Sequence, residues 1–313
     1  MPRRVPICCD RPSGHIDDLF MTLNGQRIRG GVTAGLLASP MVCVLICFYA
    51  FDIWTFFMSL TPSRLLPTYE FVGLSQYHRL FNSPRWWEAL WNLGLYSLSL
   101  ISGCIMLGYA LAILIDRGAR KRAKYAPIFM LPLALSFVVT GIVWLWLLNP
   151  RLGIQHAVRE LGWSTFVFDW LVRSDRAIFT VAIAGIWQQT GLCMALFLAG
   201  LRKIDPNVWR TIRLDAIPTW TCYARIVTPV LRPTFFTAFV LLFAMAIRTF
   251  DLVATLTGGG PGFSSDLPAR FIMDLVARQE LGMGAAGACV LLCIVVAVVA
   301  PYVYIEFRRQ RQT

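Results

Sequence analysis

Six long apolar stretches run along the sequence, separated by polar, charged or glycine- and proline-rich segments. A helix that crosses a bilayer needs about 20 mostly apolar residues. The stretches predict spans at residues 31–59, 89–115, 125–148, 177–201, 231–253 and 282–305. Each is long enough to cross as one helix, with Pro40 tolerated near the start of the first. The pattern predicts an all-α membrane protein with six transmembrane helices.

The segments between the spans differ in their content of Lys and Arg. Alternate segments, the two tails included, hold 19 basic residues on one side and nine on the other. Because cytoplasmic connections carry the excess of basic residues, this places residues 1–30, 306–313 and the segment 204–233 in the cytoplasm. Residues 60–88 then form a periplasmic loop, and residues 89–305 form the core of the protein.

Composition narrows the class of protein further. The chain is 57% hydrophobic and 15% charged, whereas a soluble domain has about 25% charged residues. The net charge of +12 does not indicate a nucleic-acid partner, because the basic residues fall between apolar runs and form no single patch. None of the three lysines follows a glycine, so a P-loop for ATP is absent from the sequence. Neither a catalytic motif nor a Cys/His cluster with zinc spacing occurs, so we expect no enzymatic and no metal site.

Residues 204–233 form the longest run with regular polarity in an otherwise apolar sequence. Apolar residues recur in it at spacings of three and four, which is one face of a helix. They are Ile217, Trp220, Tyr223, Val227 and Val230. A loop that only fixes topology needs neither this length nor an apolar stripe. The segment therefore predicts a cytoplasmic surface against which another protein docks.

This segment resembles the EAA loop of bacterial ABC importer permeases, above all the permeases for sugars and glycerol phosphate. The matching residues are Asp215, Trp220, Tyr223, Arg225, Ile226, Pro229, Leu231, Arg232 and Pro233. The sequence departs from the family pattern where Arg210, Thr211 and Ile212 stand for Glu-Ala-Ala, and where Ala216 stands for Gly. The resemblance implies that a coupling surface for an ATPase includes Arg210, Arg213, Asp215, Ala216, Trp220, Tyr223, Arg225 and Pro229.

A second element, residues 248–262, reads RTFDLVATLTGGGPG and resembles the segment after the fifth helix of the same family. It predicts a tight periplasmic turn at Gly258, Gly259, Gly260 and Pro261. Arg248 and Asp251 precede this turn near the end of a predicted span. Their i, i+3 spacing favours a structural ion pair, with contact to the solute as the alternative.

Polar residues also interrupt the predicted spans. Gln188 and Gln189 follow Trp187 in the fourth span, and Asn92 lies in the second. Two interpretations stay open. The amides either form hydrogen bonds between helices or line a polar path for a hydroxyl-rich solute, with the tryptophan stacking on a sugar face.

The resemblance implies a type I ABC importer permease fold with both termini cytoplasmic. It implies half of an inner-membrane path for a sugar or a sugar phosphate such as glycerol 3-phosphate, paired with a second, non-identical permease. ATPase subunits would bind ATP and Mg²⁺, with no cofactor on this chain, and a periplasmic or lipid-anchored binding protein would deliver the solute. The alternative is a carrier or channel driven by an ion gradient, for which we would expect an ionisable relay inside the spans; all three histidines lie outside them.

Overall fold

The structure is a computed structural model that describes residues 39–64, 66–117, 124–205, 207–208, 218 and 221–310. These residues form helices and connecting turns, without a strand among them. The chain divides into two compact units, Met1–Trp54 and Thr55–Thr313. In the first unit the described residues, 39–54, are helical and expose their side chains. All further contacts concern the second unit.

Twelve helical segments are described in chain order. They are α1 (Ser39–Ser59), α2 (Ser75–Phe81), α3 (Pro84–Arg117), α4 (Ala126–Ala134, ending in a 3₁₀ turn), α5 (Phe137–Leu147), α6 (Ile154–Glu160), α7 (Ala177–Arg202), α8 (Cys222–Val230), α9 (Arg232–Ile247), α10 (Asp251–Leu256), α11 (Pro268–Ala277) and α12 (Leu281–Gln310). Of these, α1, α3, α7 and α12 are each long and apolar enough to cross a membrane. The corresponding four predicted spans are confirmed, apart from residues 31–38 of the first, which lie outside the described residues. Helix α3 begins inside the predicted loop 60–88.

The third and fifth predicted spans are wrong as single helices. Residues 125–148 form α4 and α5, which meet at an angle of 99°. Between them Leu135 is extended, and the Ser136 hydroxyl accepts a hydrogen bond from the Val139 amide to cap α5. The fifth predicted span, 231–253, is interrupted near its end, because α9 ends at Ile247 and α10 begins at Asp251. At its first residue, Leu231, a bend of 69° separates α9 from the preceding helix, α8. Proline at residue 233 lacks the amide hydrogen that would continue the helix through this bend.

Each bent pair carries the chain back along the bundle. Helices α3 and α7 are parallel, because a Cβ at Gly185 would touch Tyr96 near their beginnings and Tyr109 packs on Phe197 near their ends. The chain must therefore return between them, through α4 and α5. Helix α12 begins at the same end as α3, where the Gly282 amide donates to the Ser63 carbonyl, so α8 and α9 make the second return. We call the end with residues 257–266 the turn end and the end with α8 the coupling end.

The α3–α7 pair is the most closely packed part of the bundle. A Cβ at Gly103 would overlap the Ile186 side chain, and one at Gly108 would overlap Cys193. Small residues let helix backbones approach, and this close packing drives association where lipid removes the hydrophobic contribution. The two helices are thus suited to move as one body.

Candidate functional site

The coupling surface predicted from the sequence is described only in its C-terminal part. Arg210, Arg213, Asp215, Ala216 and Trp220 lie outside the described residues. The other three residues of the prediction, Tyr223, Arg225 and Pro229, belong to α8.

Helix α8 opens with a π-helical turn over Cys222–Val227. A π-turn closes i→i+5 hydrogen bonds and takes more residues per turn than an α-turn. Buried positions consequently recur four apart, at Tyr223, Val227 and Leu231, which are all less than a tenth exposed. The apolar face predicted from the sequence also included Val230, which is 54% exposed, so the prediction is wrong at this residue. Arg225 is exposed on the other side of the helix and is free to face a partner.

The bend after α8 packs against the end of α7. A Cβ at Gly200 would touch the side chains of Leu231 and Thr234, so only glycine leaves room for the bend there. The coupling end of the bundle thus joins α8, α9 and α7 at one point.

At the opposite end, residues 257–266 form the glycine-rich turn that the sequence predicted. Gly258, Gly259 and Gly262 have φ of +60°, +81° and +62°, a region that glycine enters without steric cost. The Ser265 hydroxyl closes the turn by donating to the Gly260 carbonyl at 2.7 Å, and the bond from Gly260 to Pro261 is cis.

An ionic cluster, which the sequence did not reveal, fastens this turn to α3. The Asp266 carboxylate is fully buried and pairs with Arg85 at 2.7 Å and with Arg270 at 3.0 Å. Arg85 also pairs with Asp274, and its guanidinium lies 4.4 Å from the centre of the Phe263 ring. Two positive groups against one buried carboxylate satisfy a charge that would be costly alone.

The Asp274 carboxyl lies at the edge of this cluster. Its partial burial acts to raise its pKa, but the hydrogen bond and charge of Arg85 outweigh burial and hold the pKa of Asp274 below its ordinary value. A carboxylate with a lowered pKa stabilises the fold above its unfolded pKa and loses that contribution as the pH falls through the lowered value.

Asn92 also belongs to the turn. Its side-chain amide donates to the carbonyls of Phe263 and Asp266, each at 3.1 Å. In this structure it therefore ties α3 to the turn, and it lies apart from the other predicted path residues on α7.

The predicted ion pair between Arg248 and Asp251 does not form. Helix α9 ends at Ile247 and α10 begins at Asp251, so the two residues stand on either side of a break. An i, i+3 pair requires a continuous helix. Both side chains are exposed, and no ion pair of the described residues joins them.

The remaining predicted path residues lie on α7. Trp187 is 40% exposed and meets Trp144 edge-on, with ring centres 6.0 Å apart. Gln188 and Gln189 are buried, and the Gln188 amide donates to the Leu135 carbonyl at the bend of α4 and α5, at 2.8 Å. Their Oε1 atoms have no hydrogen-bond partner among the described residues. The Gln188 amide thus makes a bond between helices, while the two buried Oε1 atoms lack a donor among the described residues.

Comparison with known proteins agrees with this architecture. Residues 104–311 match the family described as the inner-membrane component of binding-protein-dependent transport systems. A probable ABC transporter permease of Pyrococcus horikoshii is 34% identical over 88% of this chain and 96% of its own length. A xylose/arabinose import permease of Haloferax volcanii is 30% identical over 96% of this chain and 95% of its own.

The fold resembles that of a solved chain from a bacterial ABC transporter involved in the import of alginate. The TM-score is 0.73 at 21% identity, over 89% of this chain and 97% of the other. With a family match to about two thirds of its residues and an ABC transporter permease 34% identical over most of its length, the chain belongs to the inner-membrane permease components of binding-protein-dependent ABC transporters.

Proposed function

We propose that this chain forms one half of an inner-membrane import path for a sugar or sugar phosphate, moved by ATP that separate subunits hydrolyse. A second, non-identical permease completes the path. ATPase subunits that bind ATP and Mg²⁺ grip the cytoplasmic segment 204–233, and a periplasmic or lipid-anchored binding protein delivers the solute at the turn end.

The observation that carries this proposal is the contrast between the two ends of the bundle. At the turn end, buried charges hold residues 257–266 against α3. At the coupling end, α8 buries Tyr223 in the bundle and leaves Arg225 exposed. A segment anchored on one side and exposed on the other can transfer the motion of a bound ATPase to the helices. Asp215 and Trp220 of the same segment match the family residues that contact the ATPase.

The choice of solute class is supported by the relatives and by the chemistry of α7. One relative imports pentoses, and the protein of similar fold belongs to a polysaccharide importer. Sugars present many hydroxyl groups and apolar ring faces. The partly exposed Trp187 offers a face for stacking. The Oε1 atoms of Gln188 and Gln189 are buried in this structure and would accept from solute hydroxyls when movement of the helices exposes them.

Reconstitution tests the proposal. The chain is expressed with the permease, ATPase and binding protein encoded beside it, purified as a complex, and placed in proteoliposomes. Uptake of a labelled sugar should require ATP and binding protein and should persist when ionophores collapse ion gradients. Uptake that follows an ion gradient without ATP would overturn the proposal.

A pair of variants tests segment 204–233, which we call the coupling segment. Asp215→Ala should leave membrane insertion and complex formation intact but uncouple ATP hydrolysis from uptake. Asp205→Ala is the matched control, because Asp205 is exposed in the same segment and, among the described residues, its carboxylate accepts a local hydrogen bond from the Asn207 amide. Equal uptake by the two variants would remove the role assigned to Asp215.

A further inference from the structure

A hydrogen-bonded chain of three residues connects α8 to α3. The Thr228 hydroxyl donates to the Tyr223 carbonyl at 2.8 Å, and the Thr228 amide donates to the same carbonyl to close the π-turn. The hydroxyl of Thr228 has one hydrogen, which this bond uses. The Tyr109 hydroxyl, 2.9 Å from the Thr228 oxygen, must therefore be the donor in the second bond. Tyr109 on α3 is thus connected through the Thr228 hydroxyl to the Tyr223 carbonyl in the π-turn.

The ring of Tyr109 is held by two phenylalanines. It meets Phe197 of α7 at 5.3 Å between ring centres and Phe235 of α9 at 5.2 Å, both edge to face. Phe197 and Phe235 meet each other at 4.6 Å. Edge-to-face aromatic pairs favour a defined geometry beyond simple burial of area. A shift of α8 at Thr228 therefore cannot be absorbed by free rotation of the tyrosine.

The π-turn adds a second reason to assign a role to this contact. A π-turn is a local irregularity in a helix, with i→i+5 hydrogen bonds, and such turns occur frequently at functional sites. Thr228 satisfies the turn with both its amide and its side chain, where an ordinary helical residue would use the amide alone. The turn lies within segment 204–233, and three residues separate it from the 69° bend at Leu231.

We propose that Tyr109 and Thr228 are positioning residues that transmit displacement of the coupling segment to the α3–α7 pair. The inference rests on the proposed function and names the contact through which it operates. Because α3 and α7 are closely packed along Gly103 and Gly108, a force applied at Tyr109 moves both helices. Neither residue contacts the solute or ATP in this assignment.

The test uses the whole transporter in proteoliposomes, with its ATPase and binding protein, and measures solute imported per ATP hydrolysed. Tyr109→Phe removes the hydroxyl and keeps the ring among the phenylalanines. Thr228→Val removes the central hydroxyl and keeps the side-chain shape. Tyr302→Phe is the matched control, since its hydroxyl also meets a threonine, Thr237, at 3.0 Å, but joins α12 to α9 beyond the bend.

We expect Tyr109→Phe and Thr228→Val to lower the import-to-hydrolysis ratio by about two- to tenfold, the effect of one net hydrogen bond on an equilibrium. Tyr302→Phe should keep the wild-type ratio. Combining the first two changes should lower the ratio no further than Thr228→Val alone, because both interrupt one chain.

Two results would overturn the inference. One is a ratio equal to that of the Tyr302→Phe control, including the case in which import and hydrolysis fall together in proportion. The other is additive effects in the double variant. Tyr109→Phe and Thr228→Val can each be tested alone, so if one variant fails to fold, the other still tests the inference. If the wild-type complex does not use ATP for import, the proposed function fails. If the wild-type complex couples ATP hydrolysis to import and the Tyr109→Phe variant couples them equally well, only the inference about Tyr109 fails.

Discussion

Replacing Asp266 by Asn should weaken the turn end more than any other single change in polarity there. The carboxylate is fully buried and neutralises Arg85 and Arg270, whose side chains are 14% and 23% exposed. Removing one partner of a buried ion pair costs about 3–5 kcal/mol, since the remaining charge stays desolvated. Arg85 keeps Asp274 as a partner, and asparagine still accepts a hydrogen bond, so we expect about 3 kcal/mol.

The assay is unfolding of the purified chain in mixed micelles by increasing SDS, followed by tryptophan fluorescence, with the free energy of unfolding extrapolated to zero SDS. Glu280→Gln is the control. Glu280 pairs with Arg79 at 3.1 Å across two distant segments, but both side chains are exposed, 36% and 53%. Such a pair contributes at most about 1 kcal/mol. Equal losses in the two variants would refute the reasoning that burial makes the Asp266 cluster essential.

Three further changes have defined outcomes. Gln188→Leu removes the donor to the Leu135 carbonyl and should destabilise the protein by about 1–3 kcal/mol in the same SDS assay, and an unchanged value would show that this carbonyl needs no protein donor. Gly259→Ala forces a side chain to φ +81° and should cost about 1–3 kcal/mol, whereas Gly94→Ala, where an added Cβ would meet nothing within 4 Å, should be neutral or stabilising. Ser264→Cys, in a background without other reactive thiols, should react in intact cells with an impermeant thiol reagent, while reaction in inverted vesicles alone would reverse the assigned orientation.

Much of the transmembrane organisation follows from the sequence. Helices α7 and α12 begin and end within a few residues of their predicted bounds, apart from the C-terminal turn of α12. The glycine-rich turn was also predicted, because its backbone angles require residues without a side chain. The EAA-like residues identified the family without any contact being known.

The bends were not predicted, although their local signals are present. Mean hydropathy over a window measures how apolar a stretch is and does not measure whether its helix is continuous. Pro132 lies in the 3₁₀ turn before the bend of α4 and α5, and Pro229 and Pro233 flank the bend of α8 and α9. These prolines could have marked both breaks. The break at Arg248–Phe250 has no comparable signal, and it separated the two residues expected to pair.

Burial of apolar side chains in lipid depends on local composition, so the sequence alone determined the four unbroken spans, and the run of glycines determined where the tight turn lies. Ionic and hydrogen-bonded contacts depend on which groups meet in space. Arg85 meets Asp266 across 181 residues, and Tyr109 meets Thr228 across 119. No periodicity in the sequence encodes such a meeting, because it arises only after the helices have packed. The tertiary structure alone therefore decided how the turn is fastened and how α8 is linked to the bundle.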